Sequence, residues 1–389
     1  MSFDTLTSPP VDALHGVMAR FAADPRENKL DLGVGVYRNA EGRSVVMPAV
    51  REAERHLLET EDSKRYLGLR GVDAYLDGMR GLLFPDGAPD PYAQVQTVGG
   101  TGGIRLAMEL AKRANPQARV LLGLPSWPNH ATISELVGLE LVTYPYFQKA
   151  TQSLDFEAMI SCLEAARRGD VLILHGPCHN PTGADLLDEQ LSQVAALMRE
   201  RGVVPLIDAA YYGMDDPIED DLARLRTLLD AVGEAYLILS SSKVFSLYRE
   251  RVGTLFVKTH GEAARDLVQR TLERVARATY SMPPSHGAAA VGIMLGSDAL
   301  RQSWRADLEA MRHRVRSIRE AIDIHAGRIP TLGAVNTQKG IFSLLPLSAE
   351  QVDALAKDHA IYMPASGRIN VAGLRTQDVE PFCEAVASV

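Results

Sequence analysis

Lys243 stands behind three serines at the end of an apolar run, YLILS (236–240), and eight positions ahead of Arg251. The run reads as a buried strand, which places the lysine at the carboxyl end of an interior strand. Burial there favours the neutral amine, and a neutral amine attacks carbonyls. Taken alone, such a lysine is ordinarily a surface-loop residue, so its company in the chain decides its meaning. VQTVGGTGGIRLAMELAKRA (95–114) leads a short strand into Gly-Gly-Thr-Gly-Gly and then an amphipathic helix. A glycine-rich turn feeding a helix exposes backbone N–H groups and the positive end of the dipole, which makes an anion site. The glycine spacing is not that of a dinucleotide fingerprint, so a single phosphate is the expected anion. Further polar residues follow other apolar runs. Trp127, Asn129 and His130 come after RVLLGL (119–124). His175 and Asn180 lie at or after DVLILH (170–175), and Asp208 and Tyr211 at or after VVPLID (203–208).

The elements that must position these residues alternate. Short Val/Ile/Leu-rich runs at 119–124, 139–144, 170–175, 203–208 and 236–240 are separated by helical patterns such as 184–201 and 219–232. This predicts a mostly parallel sheet covered by helices on both faces, and in such sheets ligands bind at the carboxyl ends of the strands. Upstream, VDALHGVMARFAAD reads as an arm helix and residues 48–60 as a helix beginning at Pro48. Gly33 and Gly35 interrupt an apolar run, which fits either a close approach to the backbone or a bent edge strand. Tyr66 falls in a loop. Over residues 298–323 a stripe of Leu308, Met311, Val315, Ile318 and Ile322 predicts a long amphipathic helix. This helix leaves the large domain for a smaller one, in which GIFSLLPL and IYMPASGRINVAGL read as strands. The expected organisation is α/β: residues 1–45 form an arm and part of the small domain, 46–310 the large domain and 311–389 the small domain.

A phosphate cradle, a lysine, a buried aspartate, a tyrosine and an indole suit one ligand, pyridoxal 5′-phosphate. Its aldehyde condenses with a lysine, its ring nitrogen needs an acid and its phosphate an anion site. On this reading Lys243 binds the aldehyde and Asp208 holds the ring nitrogen protonated. Tyr211 and Asn180 hydrogen-bond the ring oxygen, and Trp127 stacks on the ring. Gly100, Thr101, Ser240 and Arg251 hold the phosphate, the arginine through two parallel N–H groups.

The motifs LGVGVYR, YLGLRG, GGTGG, PSWPNH, HNPTG, DAAY, SSSK…RERVG, ARATYSMPP and GRINVAG run in order from residue 31 to residue 373. With them the chain resembles class I pyridoxal-phosphate aminotransferases of the aspartate and aromatic amino acid branch. The resemblance implies a three-layer αβα large domain of fold type I, a smaller α/β domain and a homodimer. It implies that Arg368 clamps the substrate α-carboxylate, and that Arg277 and Tyr66 reach a neighbouring subunit's substrate and cofactor phosphate. It gives His130 a supporting role behind Asp208 and sets Gly35 along the substrate cleft. The implied reaction is ping-pong transamination. Met282 stands where family members devoted to aspartate usually have asparagine, and Tyr212 and Val244 depart from the usual glutamine and asparagine. Met282 gives the distal-carboxylate site an apolar wall, which favours aromatic amino acids with 2-oxoglutarate as acceptor; aspartate as main donor is the runner-up. A regulatory protein that kept the fold without turnover, or elimination or decarboxylation on the same cofactor, are the alternatives of other classes. The complete residue set and the paired arginines weigh against them.

Composition bounds the rest. A chain of 389 residues with 46% hydrophobic and 23% charged residues is ordinary for a globular protein and long for one core. The net charge of −8 argues against nucleic acid as a partner. No apolar run is long enough to span a bilayer, and the N-terminus has no secretory pattern. Three cysteines without a CxxC pair suggest neither disulfides nor a metal site and make the cytoplasm the expected compartment.

Overall fold

The computed structural model describes residues 3–6, 13–88 and 91–389. Its centre is a seven-stranded sheet: β1 (Tyr92–Val98), β2 (Arg119–Leu124), β3 (Glu140–Pro145), β4 (Val171–His175), β5 (Val204–Ala209), β6 (Ala235–Ser240) and β7 (Val252–Lys258). The order across the sheet is β1-β7-β6-β5-β4-β2-β3. β7 runs antiparallel to both of its neighbours, while the other pairs are parallel. The five alternating apolar runs at 119–124, 139–144, 170–175, 203–208 and 236–240 are therefore strands, with bounds shifted by one residue at most.

Consecutive strand residues divide between two apolar layers, as a period of two requires. Leu172, Leu174, Ile207, Leu237 and Leu239 belong to one layer. Val171, Ile173, Leu206, Tyr236 and Ile238 belong to the other. Helices cover both, so the runs are apolar throughout rather than alternating. On the second side lies α2 (Gly99–Ala114), which follows α1 (Ala13–Ala23) in our numbering. The first two residues of the predicted arm helix lie outside the described residues. Among the described residues no helix is long and apolar enough to cross a membrane.

α3 (Asp298–Ala326) is 29 residues long, roughly 44 Å at 1.5 Å per residue. Its predicted stripe is buried in full, but against two different cores. Leu308, Met311 and Val315 join the sheet's first layer. Ile318 and Ile322 join a separate cluster with Leu32, Leu345, Ile369 and Phe382. The strands expected in the C-terminal part are much shorter than their motifs. Phe342–Leu344 pairs antiparallel with Arg368–Asn370, and Ile361–Tyr362 pairs parallel with Leu30–Asp31. Pro346, Pro364 and Gly367 interrupt the longer runs, since proline cannot donate to a ladder and glycine weakens it.

Arg319, on α3, is fully buried yet has no carboxylate at hydrogen-bond distance among the described residues. It donates instead to Gly340 O, Phe342 O and Ser343 Oγ at 2.7–2.8 Å. A buried guanidinium needs its donors filled, and filling them with carbonyls ties segment 340–343 to the helix. That segment carries Phe342 to the site described next.

Candidate active site

The parallel strands end at one edge of the sheet, and β7 begins there. Val252 opens β7 opposite Val98, which closes β1, so Arg251 and Gly99 meet at that edge. Gly99 takes a left-handed φ of +64°, and a Cβ there would lie 2.4 Å from Arg251 Nη2. Only glycine gives the guanidinium its place. α2 starts at this glycine with no side-chain cap on its first N–H groups, which leaves them for a ligand.

A chamber of about 140 Å³ opens at this edge. Nine residues expected to hold a cofactor line it: Gly100, Thr101, Trp127, Asn180, Asp208, Tyr211, Ser240, Lys243 and Arg251. Ile104, His175, Ala210 and Ser242 complete the wall.

Lys243 Nζ lies 4.6 Å from the Tyr211 ring centroid. Burial, opposed by Asp208 and helped by Arg251, pulls its amine down to about 8 from the ordinary 10.5. Burial disfavours the ammonium, so the proton leaves at lower pH than from a solvated lysine. In cofactor-free protein, modification of Lys243 by an amine-directed reagent is therefore expected to rise with pH through a midpoint near 8, read by mass spectrometry. A midpoint at the solvated value would contradict this.

Asp208, in β5, is buried. Burial alone would raise its carboxyl, but the His130 hydrogen bond, the imidazoles nearby and Lys243 outweigh it and hold the group below its ordinary value. Its Oδ2 is 3.0 Å from His130 Nε2. Its Oδ1 is buried and has no hydrogen-bond partner among the described residues. Ser126 Oγ bridges His130 Nδ1 and His175 Nε2, 2.9 Å from each. One hydroxyl proton serves only one of them. With His130 donating to the carboxylate, Ser126 donates to His130 and accepts from His175. Burial, with His130 adding to it, pushes His175 down to about 3, so it stays neutral and can donate in this direction. Burial also raises the Tyr211 phenol above its ordinary value, against the nearby Arg368, which keeps it a hydrogen-bond donor.

Arg368 stands beside the chamber. Its Nη1 is 3.3 Å from Asn180 Oδ1, its Nη2 donates to Gly33 O at 2.6 Å, and its guanidinium lies 4.6 Å from the Phe342 ring. Phe342 also meets the Tyr211 ring edge-on at 5.5 Å. Gly35 lies in the same place: a Cβ there would be 2.8 Å from Phe342 Cζ and 3.5 Å from Tyr211 Oη. The close approach anticipated at the Gly33–Gly35 pair is thus real at Gly35, and a phenyl ring makes it.

Tyr66 and Arg277 are not brought to the chamber. Tyr66 is 88% exposed in a loop, and Arg277 is exposed in the last turn of Glu262–Tyr280. Of the departures noted in the sequence, Tyr212 and Val244 are fully buried and Met282 is partly exposed. Sequence reasoning missed Ser126 and Phe342. Ser126 had a signal, since it lies within PSWPNH. Phe342 had none, because its strand is three apolar-flanked residues with nothing to mark one face.

The donor set fits pyridoxal phosphate. An unpartnered buried carboxylate oxygen, a lysine of depressed basicity and an uncapped glycine-rich helix start with an adjacent arginine share one chamber.

Comparison with known proteins agrees. Residues 27–386 match the family model for aminotransferase class I and II. The chain is 46% identical to a tyrosine aminotransferase of Rhizobium meliloti (strain 1021), with 97% of each chain covered. It is 38% identical to an aspartate aminotransferase of Salmonella typhi, with 100% of each covered. It superposes with a TM-score of 0.96 and 37% identity on the crystal structure of an aromatic-amino-acid aminotransferase from Burkholderia pseudomallei covalently bound to pyridoxal phosphate, covering 100% of this chain and 99% of that one. A sheet edge that gathers lysine, aspartate and anion cradle, and a match that runs nearly end to end, have one explanation: this chain belongs to the class I and II aminotransferase family.

Proposed function

We propose that the protein transfers the amino group of aromatic amino acids, tyrosine and phenylalanine, to 2-oxoglutarate with pyridoxal 5′-phosphate, and also accepts aspartate. The observation that carries this reading is the unpartnered Oδ1 of Asp208, a residue that lines the same chamber as Lys243. When bound, the cofactor supplies an aldehyde that holds amino groups covalently and a ring that accepts the electron pair freed at the substrate carbon. Lys243 Nζ, its basicity lowered by burial, would take the substrate's α-proton and later give it back, acting as base and then as acid. Asp208, ionised by its neighbours, keeps the ring nitrogen protonated through Oδ1. The donor chain from His175 through Ser126 and His130 fixes its other oxygen. Tyr211 and Asn180 would donate to the ring oxygen, and Trp127 would stack on the ring. Gly100, Thr101, Ser240 and Arg251 hold the phosphate. Arg368 pairs with the substrate α-carboxylate, with Gly35 and Phe342 shaping the cleft beside it.

We further propose a homodimer in which Tyr66 reaches the partner's cofactor phosphate and Arg277 the partner's substrate. Their exposure in the single chain suits that role. Residues 46–310 would form the cofactor domain, and residues 1–45 with 311–389 the smaller one; the separate apolar cluster around Ile318 and Phe382 supports the division. The free thiols of Cys162, Cys178 and Cys383 suit the cytoplasm.

The preference for aromatic donors rests on Met282 and on the tyrosine and aromatic aminotransferases among the relatives. A buried arginine facing a phenyl ring is costly, so a loosely held Arg277 suits a mixed diet better. The aspartate relatives support aspartate as main donor instead. Tyrosine turnover is expected to equal or exceed aspartate turnover, measured as kcat/KM with 2-oxoglutarate. Aspartate ahead by about 1000-fold, about 4 kcal/mol, would overturn the preference but not the reaction class.

A further inference from the structure

Lys243 lies in a helix of four residues, Ser241–Val244. One turn cannot hold itself in water, so its position comes from outside. Its own cap is weak, with Ser240 Oγ accepting from Ser242 N at 3.3 Å. Two aromatic side chains from distant parts of the chain hold it more closely. The Tyr75 hydroxyl, from helix Asp73–Leu83, lies 2.9 Å from Ser241 Oγ. Trp304 Nε1, from α3, donates to Val244 O at 2.8 Å. Both side chains are fully buried. Phe245 stacks on the Trp304 indole with centroids 4.7 Å apart and planes 22° from parallel. The turn is thus bonded on both sides of Lys243, two residues before it and one after. Val244 is apolar, so its own side chain offers no hydrogen bond on that side and the carbonyl must serve.

Each aromatic ring fills core space, and at Tyr75 a phenylalanine would fill it equally well, while at Trp304 it would leave part of the indole's volume empty. What phenylalanine lacks is the polar atom, and in both cases that atom meets the lysine's turn. We propose that Tyr75 and Trp304 are positioning residues, which fix the backbone under Lys243 and so aim its amine into the chamber. The proposal rests on the reading of Lys243 given above. Without these bonds the turn frays, water reaches the amine and the proton is held more firmly.

Tyr75→Phe keeps its ring and removes one hydrogen bond, whereas Trp304→Phe removes the indole N–H together with part of the ring that stacks on Phe245. Each is expected to lower kcat about fivefold with KM unchanged, the worth of one bond. In cofactor-free full-length protein, the pH midpoint for amine-directed labelling of Lys243 is expected to move up from about 8 toward 10.5. A loss of packing elsewhere would not move that midpoint. Tyr75→Phe combined with Ser241→Ala should cost no more than either change alone, because both cut the same bond. If Trp304→Phe fails to fold, Tyr75→Phe and this cycle decide the matter. An unchanged midpoint and kcat in the folded variants overturn the positioning role. If wild-type Lys243 fails to capture pyridoxal phosphate at all, the proposed function falls instead.

Discussion

Replacing Lys243 by alanine is expected to lower kcat by at least about 10⁴-fold, the upper range of a positioned acid–base group. The same amine is asked to do two things. It must hold the cofactor covalently between turnovers and carry the proton during them, and no neighbour can substitute. Asp208 is held below its ordinary value and is engaged with His130, so it is no proton carrier at this point. Tyr211 has its phenol raised by burial and keeps its proton. The variant should fold, because the truncation removes an amine whose charged form burial already disfavours. Steady-state rates with tyrosine and 2-oxoglutarate, with the mass of the borohydride-reduced protein, check both roles. Retention of cofactor on the protein after reduction, or turnover within tenfold of wild type, would remove Lys243 from the mechanism.

Asp208→Asn is expected to cost about 10³-fold in kcat, about 4 kcal/mol at the barrier. Asparagine keeps the shape and leaves His130 an oxygen to bond, so the relay through Ser126 and the fold survive. The charge is lost. A neutral amide cannot hold a proton on a ring nitrogen, and the ring then accepts electrons poorly. The expected pattern is near-normal cofactor retention with collapsed turnover, measured by absorbance of the bound cofactor beside kcat. Turnover within tenfold of wild type would mean that Oδ1 faces something other than a cationic ring. Because His130 and Lys243 keep the native carboxyl ionised below its ordinary range, the wild-type enzyme should hold this interaction throughout the neutral range. It should lose it only as pH falls through that lowered value.

Much of this was legible in the chain because strand order and strand ends share one geometry. Runs such as VLILH and YLILS are apolar throughout, which only a sheet covered on both faces requires, and that in turn sends whatever follows each strand to one edge. Lys243, Asp208, Asn180, Trp127 and the glycines at 99–103 could therefore be grouped before any distance was known. The stripe on α3 was equally readable, since its period is that of a helix. That it runs from a large domain into a smaller one was an expectation too; where along it the burial changes, between Val315 and Ile318, was not legible, because Met311 and Ile318 are the same kind of residue in sequence. The C-terminal strands were read too long, as proline and glycine cut them where apolar content alone continued.

Sequence alone determined the chemistry: residue types are covalent facts, and a lysine, a carboxylate and a row of glycines have their reactivity written into them. The folded structure decided which atoms are spent and which are left over. One Asp208 oxygen is bonded by His130 while the other has no partner. Phe342 reaches Gly35 and Arg368 from a strand paired with Arg368–Asn370, and a buried arginine 23 positions earlier ties its carbonyl to α3. Hydrogen-bond saturation depends on contacts between residues far apart in the chain, and no local pattern of side chains records which of them will meet.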